Sequence, residues 1–501
     1  MMRCAVPLSS SQRFARSDSR QPTVPRAASS LSSIAPRSRL WVPGRLMFHI
    51  VKLGSVLRCR DLLPRRGRGE ILAGSMKLTA QEQAMLDGKE GKAKQKAMDL
   101  LVRYGEALGA ERLVDTNNVC GTVGASTPFL RDYGAKHGLD AVFSEFSLDS
   151  AEVIEIPKVS VYSSHLQQGL DPDHAEVQGV PPEVVKVYRQ GEAYTARLGV
   201  QPLNTCAPYT VGNVPTKGEH CAWMESSAVI YINSVLGART NAEGRESVGA
   251  AMLTGKIPYW GYHLDENRLG THLVELEVEV ESTADWGLLG YYVGEVVQDR
   301  VPVIAGVKKV PNLPRLKHFG AAAASSGGVE MYHLVGITPE APTLDAAFGG
   351  RRPIERFHVG RKELKRAYEA VNSTAKDTSV DFIMLGCPHY TIEQIWEACR
   401  LLEGKRVHGN TSLWIFTPRA TKSLADQNGY TKIITDAGGY LMTDTCSAMG
   451  RLLPKGAKVA AVDSAKQAHY LPAIMGVQCW FGSTAECIDA AVTGRWRSTF
   501  S

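Results

Sequence analysis

The sequence predicts a multi-domain α/β protein built on parallel sheets flanked by helices. Three observations predict it. From about residue 355 onward, short apolar runs alternate with stretches of helical period, which implies parallel strands joined by right-handed crossovers. The apolar runs are short and continuous, as in strands covered on both faces. A chain of 501 residues is too long for one simple core, so two or three domains are expected.

In chain order, residues 1–75 come first and stand apart. They carry 14 Lys/Arg against 3 Asp/Glu, with Ser9-Ser10-Ser11, Ser29-Ser30 and Ser32-Ser33 among isolated arginines and prolines. An organellar transit peptide has this composition. A disordered or non-native extension, with the true start at Met76, has it too. The second reading is the expectation, because regular pattern begins abruptly at Lys77.

Thr79-Ala80-Gln81-Glu82 is a capping-box pattern that opens a helix. A second helix puts Ala93, Ala97, Leu100, Leu101, Tyr104 and Leu108 on one face. A turn region at 115–122 follows, and Thr127-Pro128 reads as the N-cap and first residue of the next helix. Residues 181–199 form a helix that starts at Pro181-Pro182. After a Gly/Pro-rich loop at 204–218, an apolar helix is expected over 219–236. Leu276, Val278 and Val280 alternate with Glu275, Glu277, Glu279 and Glu281, the pattern of a half-exposed strand. Residues 301–305 read as a buried strand. Ala321 to Ala324 with Ser325-Ser326-Gly327-Gly328 reads as a tight turn packed on the sheet, since no phosphate-loop Lys and Ser/Thr follow it.

The regular region then runs helix 361–375, strand 382–385, a cysteine loop and a helix opened by Thr391-x-x-Gln394. Strand 413–416, helix 419–428, a second cysteine loop and strand 459–462 complete it. A first lobe over 76–350, a second over 351–487 and a tail over 488–501 are expected.

Outside residues 1–75 the chain holds 43 basic against 48 acidic residues. That mildly acidic body asks for neither nucleic acid nor an anionic membrane as partner. No run of about 18 apolar residues exists to cross a bilayer. The ten cysteines are scattered, with no short-spaced framework, which points to a reducing, cytoplasmic compartment.

Two of those cysteines are placed for chemistry. Cys387 lies in Leu385-Gly386-Cys387-Pro388-His389-Tyr390 and Cys446 in Thr443-Asp444-Thr445-Cys446-Ser447. Each follows a strand and sits in a turn. At the carboxyl end of a parallel strand, before a helix N-terminus, a thiol faces ligand and its thiolate form is favoured. Either an iron ligand or a nucleophile fits that placement.

Seven further segments accompany the Gly386-Cys387-Pro388-His389 motif in fixed order. They are Asp115-Thr116-Asn117-Asn118-Val119-Cys120-Gly121-Thr122, Thr205-Cys206-Ala207-Pro208-Tyr209, Gly218-Glu219-His220 leading into Glu225-Ser226-Ser227-Ala228-Val229, and Gly237-Ala238-Arg239-Thr240-Asn241, followed by Asp444-Thr445-Cys446 and Asp463-Ser464-Ala465-Lys466. From about Lys77 to Cys487 the chain thereby resembles the aconitase X family, the dehydratase branch of the aconitase superfamily.

The resemblance implies a hydro-lyase. Dehydrating a hydroxy acid takes a base for the proton beside the carboxylate and a Lewis acid for the departing hydroxyl. The family match implies an iron–sulfur cluster, 2Fe–2S or 4Fe–4S, as that Lewis acid, with Cys206, Cys387 and Cys446 as its ligands. It implies catalytic roles for Glu225, Ser226 and Lys466. Cys120, Gly121, Thr122, Ser464 and His389 are the expected substrate contacts. Arg239, Thr240 and Asn241 are expected to hold a helix end beside the site. Cys221, Cys399, Cys479 and Cys487 read as core.

Two substrates divide the family, cis-3-hydroxy-L-proline and mevalonate 5-phosphate. Cysteine at position 120 resembles the hydroxyproline type, and no Lys/Arg cluster flanks the motif loops to anchor a phosphate. The family's swivelling domain, which carries the serine base in related aconitases, finds no counterpart in the periodic sequence, so a small swivelling-domain subunit is the expected partner. A non-catalytic regulatory protein on an aconitase scaffold is the reading from another class; Cys206, Cys387, Cys446 and Lys466 together argue against it.

Overall fold

The structure is a computed structural model that describes residues 76–123, 133–143, 145, 146, 148 and 153–500. The extension at 1–75 and the helix start at Thr127-Pro128 lie outside the described residues.

The first region carries β1 (Leu113–Asp115), β2 (Asn118–Gly121), β3 (Glu145–Phe146), β4 (Ile154–Glu155), β5 (Tyr162–His165), β6 (Cys221–Trp223) and β7 (Lys256–Pro258). β2 is the centre of a parallel sheet of order β5-β2-β6, while β1 pairs with β7 and β3 with β4, both antiparallel. The capping box at Thr79 and the helix Lys92–Leu108 form as the sequence expects. The helix expected over 219–236 does not run through. Cys221, Ala222 and Trp223 are drawn into the sheet by pairing with Asn118, Val119 and Cys120, and the helix begins only at Ser226. Cys221 is therefore a buried strand residue.

The second region is a four-stranded parallel sheet of β8 (His272–Leu276), β9 (Pro302–Ala305), β10 (His333–Leu334) and β11 (Glu355–Val359), in the order β10-β9-β8-β11. The alternating run at 275–281 is strand only up to Leu276. Its partner β11 ends at Val359, which takes the Glu277 N–H, so no ladder remains beyond. β11 also carries this sheet past residue 350. The Ala/Ser/Gly run near 321–328 is not a turn but the interior of the helix Leu313–Gly327, capped by Asn312. Its small residues admit a very close neighbour. A Cβ on Gly290 of the helix Thr283–Val297 would stand 2.2 Å from the Phe319 carbonyl oxygen.

The third region is a five-stranded parallel sheet of β12 (Phe382–Leu385), β13 (Ser412–Phe416), β14 (Tyr440–Met442), β15 (Val459–Val462) and β16 (Gln478–Phe481). Its order is β14-β13-β12-β15-β16. The chain winds outward from β12 to β14, then returns to β15 on the other side. β12 and β15 are thus neighbours at a topological switch point, where the loops at their carboxyl ends part to leave a crevice. The fold continues past the tail boundary expected at 487, since Ile488, Ala490 and Ala491 are buried in the helix Thr484–Thr493. One apolar core links the first and third sheets and includes Cys120, Cys387 and Cys446.

Candidate active site

Strand ends from two sheets meet at the site. β12 stops at Gly386, whose φ of +96° carries the chain into the cysteine turn. A Cβ there would lie 2.2 Å from the Phe416 carbonyl oxygen, so only glycine allows the turn to fold back onto β13. The same carbonyl accepts the Tyr390 N–H at 2.9 Å. Glu225 stands two residues beyond β6 and caps the helix Ser226–Tyr231, accepting from the Ser227 hydroxyl at 3.0 Å. Ser464 caps the helix Ala465–Met475, which places Lys466 in its first turn.

Lys466 Nζ lies 2.6 Å from Glu225 Oε1 and 3.4 Å from Ser226 Oγ. A cation in the first turn of a helix opposes the helix dipole, so this lysine gains nothing locally from its position. Burial would favour the neutral form of both groups, but each holds the other charged: Glu225 lies below the usual carboxylate range and Lys466 above the usual lysine range.

The three expected thiols gather around this pair. All are buried, and Cys206 and Cys446 sense Cys387 electrostatically. Burial pushes each thiol up, Cys446 to about 12. Hydrogen bonds already point at the sulfurs. Cys206 Sγ accepts the His389 N–H at 3.3 Å, and Cys446 Sγ accepts the Met449 N–H at 3.4 Å as cap of a short helix. Gln467 Nε2 reaches Cys446 Sγ at 4.0 Å, and Ser464 and Gln467 lie close enough to Cys387 to favour its ionised form.

His389 fastens the three loops to one another. Its Nε2 donates to the Thr445 carbonyl at 2.8 Å, and its Nδ1 therefore accepts from the Thr205 hydroxyl at 2.9 Å. Thr205 precedes Cys206 and Thr445 precedes Cys446. The ring is fully buried and held neutral, its pKa lowered to about 4 by burial. Both nitrogens are spent on protein, so His389 positions the loops and has no ring donor left for the substrate contact expected of it.

The donor set fits an iron–sulfur cluster. Three buried thiols converge with backbone N–H groups aimed at sulfur, and beside Cys446 the Ser447 Oγ and Gln467 Oε1 atoms are buried without partners. Among the described residues no three His, Cys, Asp or Glu side chains close on a single metal ion. A cluster does not ask for that, since thiolates on separate irons stand farther apart than thiolates sharing one ion.

The remaining expected residues divide. Cys120 lies within β2 opposite Ser164, with Glu225 as its acidic neighbour. Gly121 is a packing residue, for a Cβ there would meet the Val248 side chain at 2.3 Å. The Thr122 hydroxyl is buried without a partner and faces a cavity of about 290 Å³ shared with His165, Gln168, Tyr188 and Arg245. Arg239 is not beside the site. It bridges His220 at the opposite end of β6 and binds Asp265 and the His263 carbonyl.

Several supporting residues escape the sequence reading. Asp444, in the left-handed region at φ +69°, takes Arg419 and the Tyr188 hydroxyl on one oxygen. Asp171 accepts the Thr443 N–H at 2.8 Å. Together they pin the Cys446 loop from both sides. Gln467 has a signal after all, because Ser464-x-x-Gln467 is a capping pattern. Lys317, fully buried on the helix Leu313–Gly327, stands four residues after Leu313 and three before Gly320, on an apolar face.

Matches to known proteins run over most of the described chain. The models "Aconitase X first domain", "second domain" and "third domain" match residues 75–266, 270–369 and 380–493. The phosphomevalonate dehydratase large subunit of Methanocaldococcus jannaschii is 37% identical over 419 residues, 82% of this chain and 99% of that protein. The cis-3-hydroxy-L-proline dehydratase of Hypocrea jecorina is 36% identical over 435 residues, 84% of this chain and 69% of that protein. The crystal structure of Thermococcus kodakaraensis aconitase X in its holo-form superposes with a TM-score of 0.70 at 33% identity, covering 83% of this chain and all of that one.

Proposed function

The chain belongs to the aconitase X family and is a hydro-lyase of that family, and on that premise we propose that it dehydrates cis-3-hydroxy-L-proline with an iron–sulfur cluster held by Cys206, Cys387 and Cys446. The observation that carries the reading is the partly buried Glu225–Lys466 pair set among three thiols. When bound, the cluster supplies an iron with an open position, a Lewis acid for the departing hydroxyl.

The chain's own residues bind and orient. The Lys466 ammonium has three N–H donors and spends two on Glu225 and Ser226; the third is available to the substrate carboxylate. Glu225 keeps that ammonium charged and aimed. Gln467 reaches the Cys446 sulfur, and the burial of the three thiols keeps water from them. Loss of the C2 proton and the 3-hydroxyl gives an enamine, which tautomerises to Δ1-pyrroline-2-carboxylate. The proton acceptor is proposed to arrive on a small partner chain. Relatives named as large subunits support such a partner. The eight cysteines among the described residues are free of disulfides, which supports a reducing cytosol as the compartment. Among the described residues no helix is long and apolar enough to cross a membrane.

Cys120, at the position that separates the two substrate types, supports hydroxyproline. So does the engagement of Lys466 and Lys317 by protein acceptors. Arg245, on the wall of the cavity beside Thr122, favours the second reading, mevalonate 5-phosphate. The test is anaerobic production of the chain with a small partner, measurement of iron and sulfide, and assay of both compounds. Pyrroline-carboxylate formation is expected. An iron-free active complex would remove the cluster, and turnover of the phosphorylated compound alone would replace the substrate.

A further inference from the structure

Lys317 takes no part in that chemistry, yet its placement needs a reason. The side chain is fully buried in the helix Leu313–Gly327. Its Nζ donates to the carbonyls of Pro388 at 3.3 Å and His389 at 2.6 Å and to Gln394 Oε1 at 2.6 Å. Three acceptors on one nitrogen call for three N–H donors, which the ammonium has and the neutral amine lacks. All three acceptors are uncharged, and a buried cation on neutral acceptors is costly unless anions lie near. The carboxylates that act on it through space are Asp463 and Glu393, and the Cys206 and Cys387 sulfurs join them once ionised.

The acceptors are not scattered. Two are the carbonyls that directly follow Cys387, and the third is the capping-box side chain of the helix Ile392–Leu402. One ammonium thus grips the turn at both ends. Inside that turn lies the His389 N–H that reaches Cys206 Sγ.

Resting on the cysteine assignment above, we propose that Lys317 is a positioning residue for the thiol wall. Its ammonium locks the turn at 387–391, so that Cys387 Sγ and the His389 N–H directed at Cys206 are in place before iron arrives. Sequence spacing conceals this link, for Lys317 and His389 are 72 residues apart.

The test uses the full chain free of iron and measures alkylation of each cysteine by mass spectrometry. In Lys317→Met, Cys206 and Cys387 are expected to react at least tenfold faster than in the unmutated chain. Cys399, Cys479 and Cys487, buried in other parts of the core, are expected to keep their rates. Equal acceleration of all thiols would mean general loosening and overturn the proposal, as would unchanged rates at Cys206 and Cys387. Should Lys317→Met fail to fold, amide exchange in the unmutated chain decides. The His389 and Tyr390 amides are expected to exchange as slowly as those of β12; exchange as fast as in the exposed loop at 403–410 overturns the lock. These readouts need no iron, so failure of the unmutated chain to take up iron would sink the cluster reading and leave Lys317 judged on its own.

Discussion

Lys466 Nζ and Glu225 Oε1 meet at 2.6 Å across 241 residues of chain, one at the end of β15 and the other beyond β6. Removing one partner leaves the other charged and largely shielded from water, which costs about 1.5–3 kcal/mol. Lys466→Met and Glu225→Gln are each expected to lower the melting temperature sharply and to reduce turnover by about a hundredfold or more, of the order that loss of one preorganised charge costs. The double variant should lose less stability than the two single losses added. Thermal melts and steady-state kinetics on the three variants check this; additive stability losses would dissolve the pair.

His389 offers a sharper separation of structure from chemistry. His389→Phe strands the Thr205 hydroxyl and the Thr445 carbonyl, at about 1–3 kcal/mol for each orphaned group. Iron and sulfide per chain are expected to fall several-fold while the far-ultraviolet circular dichroism holds. Full iron content in that variant would show that the three loops need no common tie.

The cysteines themselves divide into two classes. Cys387→Ala and Cys446→Ala should abolish iron binding. Cys399→Ala removes a buried thiol from the helix Ile392–Leu402, and a small stability loss with unchanged iron is expected. Iron retained in Cys387→Ala would remove that residue from the ligand set.

Asp463 makes stability depend on pH. It is buried against the Tyr390 hydroxyl and Thr484, and burial raises its pKa to about 6. The unfolded value is about 3.9. Between these values the folded chain binds more protons than the unfolded one, so this residue's contribution to stability falls as pH rises through the window. Above pH 6 the cost is fully present, at about 3 kcal/mol. The melting temperature of Asp463→Asn minus that of the unmutated chain should therefore grow from pH 4 to pH 6.5 and then level off. A difference that shrinks with pH would contradict the raised pKa.

The third sheet is the part most legible in the sequence, for a physical reason. Its strands are buried on both faces, so 382–385 and 459–462 read as unbroken apolar runs and their ends locate Cys387 and Lys466. The first sheet is less legible because Cys221-Ala222-Trp223 has no period of its own and becomes strand only by pairing with β2. The run at 275–281 alternates well beyond Leu276, but alternation cannot show where a partner strand stops. The small residues of 321–328 suggest a turn when seen alone. They suit a helix once Gly290 and Gly294 of the neighbouring helix let the two backbones nearly touch. Lys317 shares that helix, and nothing local marks it as the residue that grips a distant turn.

The thiols also carry a schedule. Cys206 belongs to a loop between β5 and β6, whereas Cys387 and Cys446 belong to the last sheet. A ribosome releases Cys206 while the chain segments bearing its two companions, the His389 tie and Lys466 are still unmade. No product of synthesis that ends before Cys446 can present all three sulfurs. On the cluster reading, iron delivery is therefore expected only after translation has passed Cys446, and a chain stalled before Cys387 offers Cys206 alone.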